Sequence, residues 1–460
     1  MHLVPLLNTR ASLPLLLGSA LAVAPLSVTA QDAPVSGAIQ EVLDNAAYTL
    51  RVGSEIFPSS PGSASAYDDS VHLLTVLSMK SSLALGETSS LEFTARAGWS
   101  SQGREYDDIL RMPGSDHDEA QYLDFDRLNI THYGDAATVM VGKEIIETGV
   151  SEMNSANDRF GLANGKRPQA PMRYGVWHAS MEYYVEDDTI TGKIMPFHER
   201  SLSPSPRSRW AGASGDSDFT NVTLPLGTLG GAGTTIEDEY YNEGDVEDWG
   251  YFLKYAGTRE GYDFFVLGHH GPSIYPTLVQ QDPTLPVYKK VDPLAWSFGG
   301  GVSMVTGAWK LYGEGIAQIT DNDADEDFLR YTLGASYRET EWANSVGWQE
   351  FKPIVEFYGD ETLDEVGDTT VVASSESARP FHNAIGLRLE MTHDDMWSFA
   401  PAFNLNFEEG DWVAGIGAQY RPNDNLTFRA AVSVFDGDDE TYYGRWRRND
   451  NLHIGAEYKF

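Results

Sequence analysis

Cysteine is absent from the 460 residues. That rules out a disulfide-stapled scaffold, and it suits a chain that crosses an oxidising compartment before it folds. Basic residues are scarce, with 32 Lys and Arg against 68 Asp and Glu for a net charge of −36. Nucleic acid is therefore excluded as a partner, because a polyphosphate would be repelled. Beyond the first thirty residues no uninterrupted apolar run reaches the roughly 18 residues that a spanning helix needs. Helical apolar stripes of any length are missing too. A membrane protein built from this sequence has to be a closed barrel, the other architecture that satisfies every backbone group in lipid.

What is present begins with an export address. Met1 to Arg10 is short and carries one basic residue, Ala11 to Pro25 is apolar, and Val28-Thr29-Ala30 meets the small-residue rule for cleavage, leaving Gln31 as the new terminus. A short helix is predicted over Ser36 to Ala47.

From about residue 47 onward the dominant pattern is strict two-residue alternation. Leu426, Phe428, Ala430, Val432 and Val434 share one face, with Thr427, Arg429, Ala431 and Ser433 on the other. Leu329, Tyr331, Leu333 and Tyr337 alternate with Arg330, Thr332, Ser336 and Arg338 in the same way. A soluble sandwich would also alternate, so spacing has to decide. Tight turns, such as Gly86-Glu87-Thr88, Glu186-Asp187-Asp188, Glu339-Thr340-Glu341 and His393-Asp394-Asp395, alternate with long segments near 58–68, 101–119, 147–172, 199–245, 273–293, 357–381 and 437–450. This predicts an all-β, antiparallel, up-and-down transmembrane barrel of about 18 strands, with 16 as the alternative because the gaps at 321–327 and 408–411 are short. Aromatic residues gather at predicted strand ends, including Trp249, Trp309, Trp342, Trp348, Trp397 and Trp412, where a membrane–water boundary favours them.

The last residues, His453-Ile454-Gly455-Ala456-Glu457-Tyr458-Lys459-Phe460, alternate and end on an aromatic. They resemble the C-terminal signal of Gram-negative outer-membrane barrels, with Gly455, Tyr458 and Phe460 at its defined positions. The run Ala137 to Ile146, then Asn157-Asp158-Arg159-Phe160, Met195-Pro196-Phe197 and Arg207 to Trp210, is similar to a family of large porin-like barrels, although Glu147-Thr148-Gly149 stands where that family more often has Trp-Gly. The resemblance implies an outer-membrane location and, as partners, the barrel-assembly machinery, outer-membrane lipid and lipopolysaccharide, and small solutes. It leaves a homo-oligomer open. The implied organisation is a cleaved signal over 1–30, a periplasmic segment over 31–46 and a barrel over 47–460.

The expected function is passive or gated diffusion of small hydrophilic solutes, with no enzyme activity and no cofactor. Specific uptake of apolar or aromatic compounds and a non-conducting structural or adhesive barrel are the alternatives. By alternation Arg51, Lys254, Lys310, Arg330, Arg338, Arg388, Arg429 and Lys459 face the lumen, against fewer acids, chiefly Glu55, Glu314, Glu390 and Glu457. Anion preference is the consequence. The long segment 199–245, with Arg200, Arg207 and Arg209 at its head, is either a constriction folded into the lumen or an outer lid or surface loop. Asp321 to Asp327 lacks the glycine and glutamate of a calcium-binding loop and reads as a solvated acidic loop. His269 and His270 point to opposite faces, and His198, Glu199 and Ser201 are too close in sequence to form a triad, so neither group is assigned chemistry.

Overall fold

A computed structural model describes residues 37–61, 70–101, 121–164, 172–201, 209–211, 235–238, 245–285, 287–379, 381–439 and 441–460. The export address and Arg207 lie outside them. Two compact units divide at residue 44. The first holds the helix α1 (Gly37–Asp44), slightly shorter than predicted because Ala47 already opens the first strand.

The second unit is an 18-stranded antiparallel sheet closed on itself. Its barrel strands are β1 (Ala47–Ile56), β2 (Val71–Ala84), β3 (Ser89–Ser100), β4 (Gln121–Tyr133), β5 (Ala137–Glu144), β6 (Val176–Val185), β7 (Asp188–Met195), β8 (Gly250–Arg259), β9 (Tyr262–Pro272), β10 (Leu294–Thr306), β11 (Trp309–Thr320), β12 (Asp327–Tyr337), β13 (Glu350–Asp364), β14 (Asn383–Thr392), β15 (Trp397–Asn406), β16 (Trp412–Tyr420), β17 (Leu426–Asp436) and β18 (Asn451–Lys459). Each pairs with its chain neighbour, and β18 returns to β1 with Thr49 opposite Lys459 and Ile56 opposite Leu452. Closure leaves no free sheet edge.

Connections alternate between an inner rim and an outer rim. The connections at 321–326 and 407–411 are short but belong to the outer rim, which fixes the strand count at 18. Two boundaries differ from the sequence reading. Residues 357–364, expected in a loop, continue β13. The expected tight turn at 339–341 is a longer connection, 338–349, that holds a helical turn, α2 (Glu341–Ser345), and places Trp342 in that turn rather than at a strand end.

The outward face is apolar, with Leu253, Val266, Leu333, Val355, Leu387, Ile416, Val432 and Ile454 all exposed. Rings pair along the inner rim: Trp397 stacks with Tyr420 (4.4 Å between centroids) and Tyr48 with Phe460 (5.5 Å), and Trp309 meets Tyr337 at a tilt (4.8 Å). At the outer rim, short strands from three different connections (Thr235–Asp238, Thr277–Val279, Val287–Val291 and Val371–Ala373) form a small separate sheet that ties those connections together.

Candidate pore constriction

The lumen is narrowed by the described residues of the connection between β5 and β6, 145–164 and 172–175, which fold inward. Their apolar side chains Ile146, Phe160, Leu162 and Tyr174 pack against Phe252, Phe265, Leu267 and Ile316, which point into the barrel from β8, β9 and β11. Burying each large side chain of this kind contributes roughly 1.5–3 kcal/mol. Close approach needs small residues on the wall: a Cβ at Gly299 would lie 2.1 Å from Asn157 Oδ1.

Past this apolar patch the loop is held through its main chain. Val150 N and Ser151 Oγ donate to the Glu314 carboxylate at 2.7 and 2.8 Å. The amides of Glu152, Met153 and Asn154 donate to Glu356 at 2.7, 2.9 and 2.9 Å. Glu356 also accepts from the Tyr312 and Tyr358 hydroxyls at 2.7 and 2.9 Å, so five donors converge on one fully buried carboxylate. The loop carbonyls meet cations and a hydroxyl: Thr148 O accepts from Lys254 (3.2 Å), Val150 O from Lys310 (3.3 Å), Glu152 O from Arg388 (3.0 Å) and Asn154 O from Thr332 (3.0 Å). Carboxylates for amides and cations for carbonyls satisfy a stretch of main chain that has left the sheet. The Glu152 side chain pairs with Lys352 (2.7 Å) and Lys310 (3.2 Å). Burial pushes its carboxyl up, but the two lysines outweigh burial and hold it below the ordinary carboxylate range.

Three of the expected lumen cations, Lys254, Lys310 and Arg388, thus hold the loop, and Glu314 is one of its two carboxylate clamps. Arg51 and Arg429 lie elsewhere on the lumen wall. They flank Glu457 from β1 and β17, at 2.7 and 3.1 Å, and both bind the same oxygen, Oε2. The Arg51 and Arg429 side chains are 45% and 41% exposed and that of Glu457 only 4%. Around Glu152 the order is the same, with Lys310 and Lys352 at 31% and 24% over a carboxylate at 12%. At Arg388 and Glu390 the order reverses, 27% and 41%, the acid being the more open partner (2.8 Å), as it also is at Lys143 and Asp124. Arg330 pairs with Asp360 (3.1 Å) near the outer rim, whereas Arg338 pairs with Glu350 (2.9 Å) at the inner one. Lys459 lies 3.8 Å from Glu457. The predicted basic residues therefore extend along the barrel rather than forming one ring.

The sequence reading undercounted the acids of the wall. Asp124, Asp126, Glu356 and Asp360 are all buried, and Lys143 and Arg96 pair with the first two. A register shift opposite Thr94/Ala95 changes the alternation within β4, and Asp360 fell in the segment read as a loop.

Of the segment 199–245 most residues lie outside the described ones, and those described lie among the outer connections. Arg200 pairs with Asp292 at 2.5 Å and donates to Lys290 O at 3.1 Å, anchoring one outer connection to another. The Arg209 guanidinium lies 3.8 Å over the Phe57 ring and donates to Ser59 O (2.7 Å) and Asn449 Oδ1 (3.1 Å). Trp210 packs edge-on against Phe57, Phe435 and Trp446. This connection leaves the barrel between β7 and β8, yet its described residues are anchored beside β1, β17 and β18 across the ring. Those described residues bridge outer connections at the mouth, and the residues seen packed inside the lumen are those of 145–164 and 172–175. His269 faces the Phe160 ring inside (4.8 Å) and His270 faces Trp296 outside (4.5 Å), on opposite faces as expected. His198 turns to Asp292 (3.1 Å).

One signal in the sequence could have revealed the inward loop. Phe264-Phe265-Val266-Leu267 is apolar on both faces, which requires cover on the lumen side as well as the outside.

The sequence matches no family model and no curated protein. Among solved structures, OccAB2 of Acinetobacter baumannii is similar at TM-score 0.52 and 11% identity, over 91% of this chain and 99% of that one. OccAB3 of the same organism is similar at 0.52 and 11%, over 90% and 98%. A Rh. blastica porin variant aligns at 0.41 and 10%, over 90% and 99%. The barrel fold is shared with the two Acinetobacter proteins.

Proposed function

We propose that this chain is an outer-membrane channel for passive diffusion of small hydrophilic solutes, with a preference for anions. The apolar outer wall and its aromatic rim suit a lipid surround. The observation that carries the anion preference is the layering at Glu457: Arg51 and Arg429 are open to the lumen, while the carboxylate that orients them is buried beneath. A solute passing this wall meets guanidinium groups first, in a lumen where field lines are less screened than in bulk. Export by residues 1–30, and recognition of Gly455, Tyr458 and Phe460 by an assembly machinery, belong to the same proposal. Charged walls disfavour the alternative of uptake of apolar compounds. Single-channel recording on the purified protein in planar bilayers tests the channel itself. Steady, ohmic steps are expected, and a folded barrel that never conducts would contradict the reading.

A further inference from the structure

Among the described residues, Arg159 is a buried cation with which no carboxylate pairs. It lies in the inward loop with 4% of its surface exposed. One amino group of its guanidinium, Nη2, donates to Gln318 Oε1 on β11, and the other, Nη1, is buried without a hydrogen-bond partner. Gln318 is fully buried too, and its Nε2 is likewise without a partner.

The nearby acids are engaged elsewhere. Asp158, the chain neighbour of Arg159, pairs with Arg173 and accepts from Thr148 N at 2.9 Å. Asp360 is shared by Arg330 (3.1 Å) and Arg379 (2.8 Å), Glu326 pairs with Arg379 at 3.1 Å, and Asp325 is turned to Ser375 N at 2.9 Å. The three guanidinium groups gather on two rings. Those of Arg159 and Arg330 lie 5.1 and 5.7 Å from the Tyr275 centroid, and those of Arg159 and Arg379 lie 5.5 and 4.1 Å from that of Phe328. Arg159 is thus the cation left over from the pairing.

We propose that a small monovalent anion, chloride under ordinary conditions, binds between Arg159 Nη1 and Gln318 Nε2 and joins the inward loop to β11. A buried charge with no counter-charge is strongly destabilising, and a buried donor with no acceptor adds to the cost. Water could accept from both donors, but it would leave the charge unbalanced. A halide accepts from any direction, so it can serve the guanidinium and the carboxamide together while neutralising the excess cation. A solute with a carboxylate would need room for the rest of its body, and Gln318 and Phe328 are both fully buried. The ion is therefore structural, taken up as the loop docks, and it does not depend on whether the barrel conducts.

Crystals of the detergent-folded barrel grown in bromide, which scatters anomalously and stands in for chloride, test the position. An anomalous peak is expected within hydrogen-bond distance of Arg159 Nη1 and Gln318 Nε2. Gln318→Glu sets a fixed carboxylate against Arg159 without removing a bond, because Nε2 makes none and Ser273 Oγ, which donates to Gln318 Oε1 at 3.2 Å, keeps its acceptor. The peak should vanish in this variant. Amide exchange over residues 155–162 tests the consequence in solution. By linkage, an ion held with a Kd of about 10 mM lowers the undocked fraction of the loop about tenfold at about 100 mM. Wild-type exchange should therefore be about tenfold faster in gluconate than in chloride at equal ionic strength, and equally slow in both for Gln318→Glu. A wild-type crystal without the peak, a peak that persists in Gln318→Glu, or wild-type exchange indifferent to the anion would overturn the proposal.

Discussion

Glu356 decides more of the constriction than any other residue. It is fully buried in β13 and takes five donors, three of them amides of the inward loop. Hydrogen bonds to a charged group are worth about 1.5–3 kcal/mol each, and donors left unpaired cost more than the bond was worth. Glu356→Ala is therefore expected to lose at least about 3 kcal/mol in urea unfolding of the detergent-refolded barrel. Its channels should show larger and noisier openings, because residues 152–154 lose their clamp. A variant with wild-type stability and quiet wild-type openings would show that Glu356 does not hold the loop. Glu314→Gln, which retains an acceptor, should be milder. None of this was legible in the sequence. Alternation put Glu314 on the polar face of its strand, but four of the donors to the two carboxylates are backbone amides, up to 204 residues away, and a backbone amide carries no sequence signature.

At the scale of elements, the two-faced strands were legible because one face meets an apolar surround and the other polar groups, and a period of two records that contrast directly. It failed where the backbone departs from regularity, as in β4, where the shifted register hid Asp124 and Asp126. The closing seam is a testable element. Tyr48 and Phe460 exchange backbone hydrogen bonds at 3.0 Å in both directions and stack their rings at 5.5 Å. Deleting Phe460 removes both bonds and the ring contact, so the variant should accumulate without heat-modifiable mobility. Normal mobility and normal protease resistance would show that the seam closes without it. The outer connections supply a pH-dependent element. Asp325 accepts from Ser375 N at 2.9 Å, and burial raises its carboxyl from 3.8 to about 6 against the opposing pull of Ser375 and Arg379. A carboxyl raised on docking takes up a proton, so docking of 321–326 onto 374–379 is strongest below 3.8 and weakens as pH rises through about 6. Amide exchange at Ser375, corrected for intrinsic rate, should lose protection across that window in the wild type and not in Asp325→Asn. A flat profile in the wild type would remove Asp325 from this role.

At the scale of the whole molecule, a strongly acidic chain is predicted to prefer anions. The paradox resolves through placement. Much of the acid lies in the outer connections, where separation and salt weaken its field beyond about 8 Å. Carboxylates of the wall are buried beneath or between cations at Glu457 and Glu152. The sequence put Arg51 and Arg429 on the polar face of their strands, but it left open whether 199–245 enters the lumen, because length alone does not say where a loop folds, and it carried no expectation of the inward packing of 145–164. The most direct measurement is the reversal potential of single channels in a KCl gradient, for the wild type and for Arg51→Glu with Arg429→Glu. The account predicts a wild-type potential on the chloride side that moves toward the potassium side in the double variant, with the barrel still folded. A wild-type potential on the potassium side that the double variant leaves unmoved would contradict it.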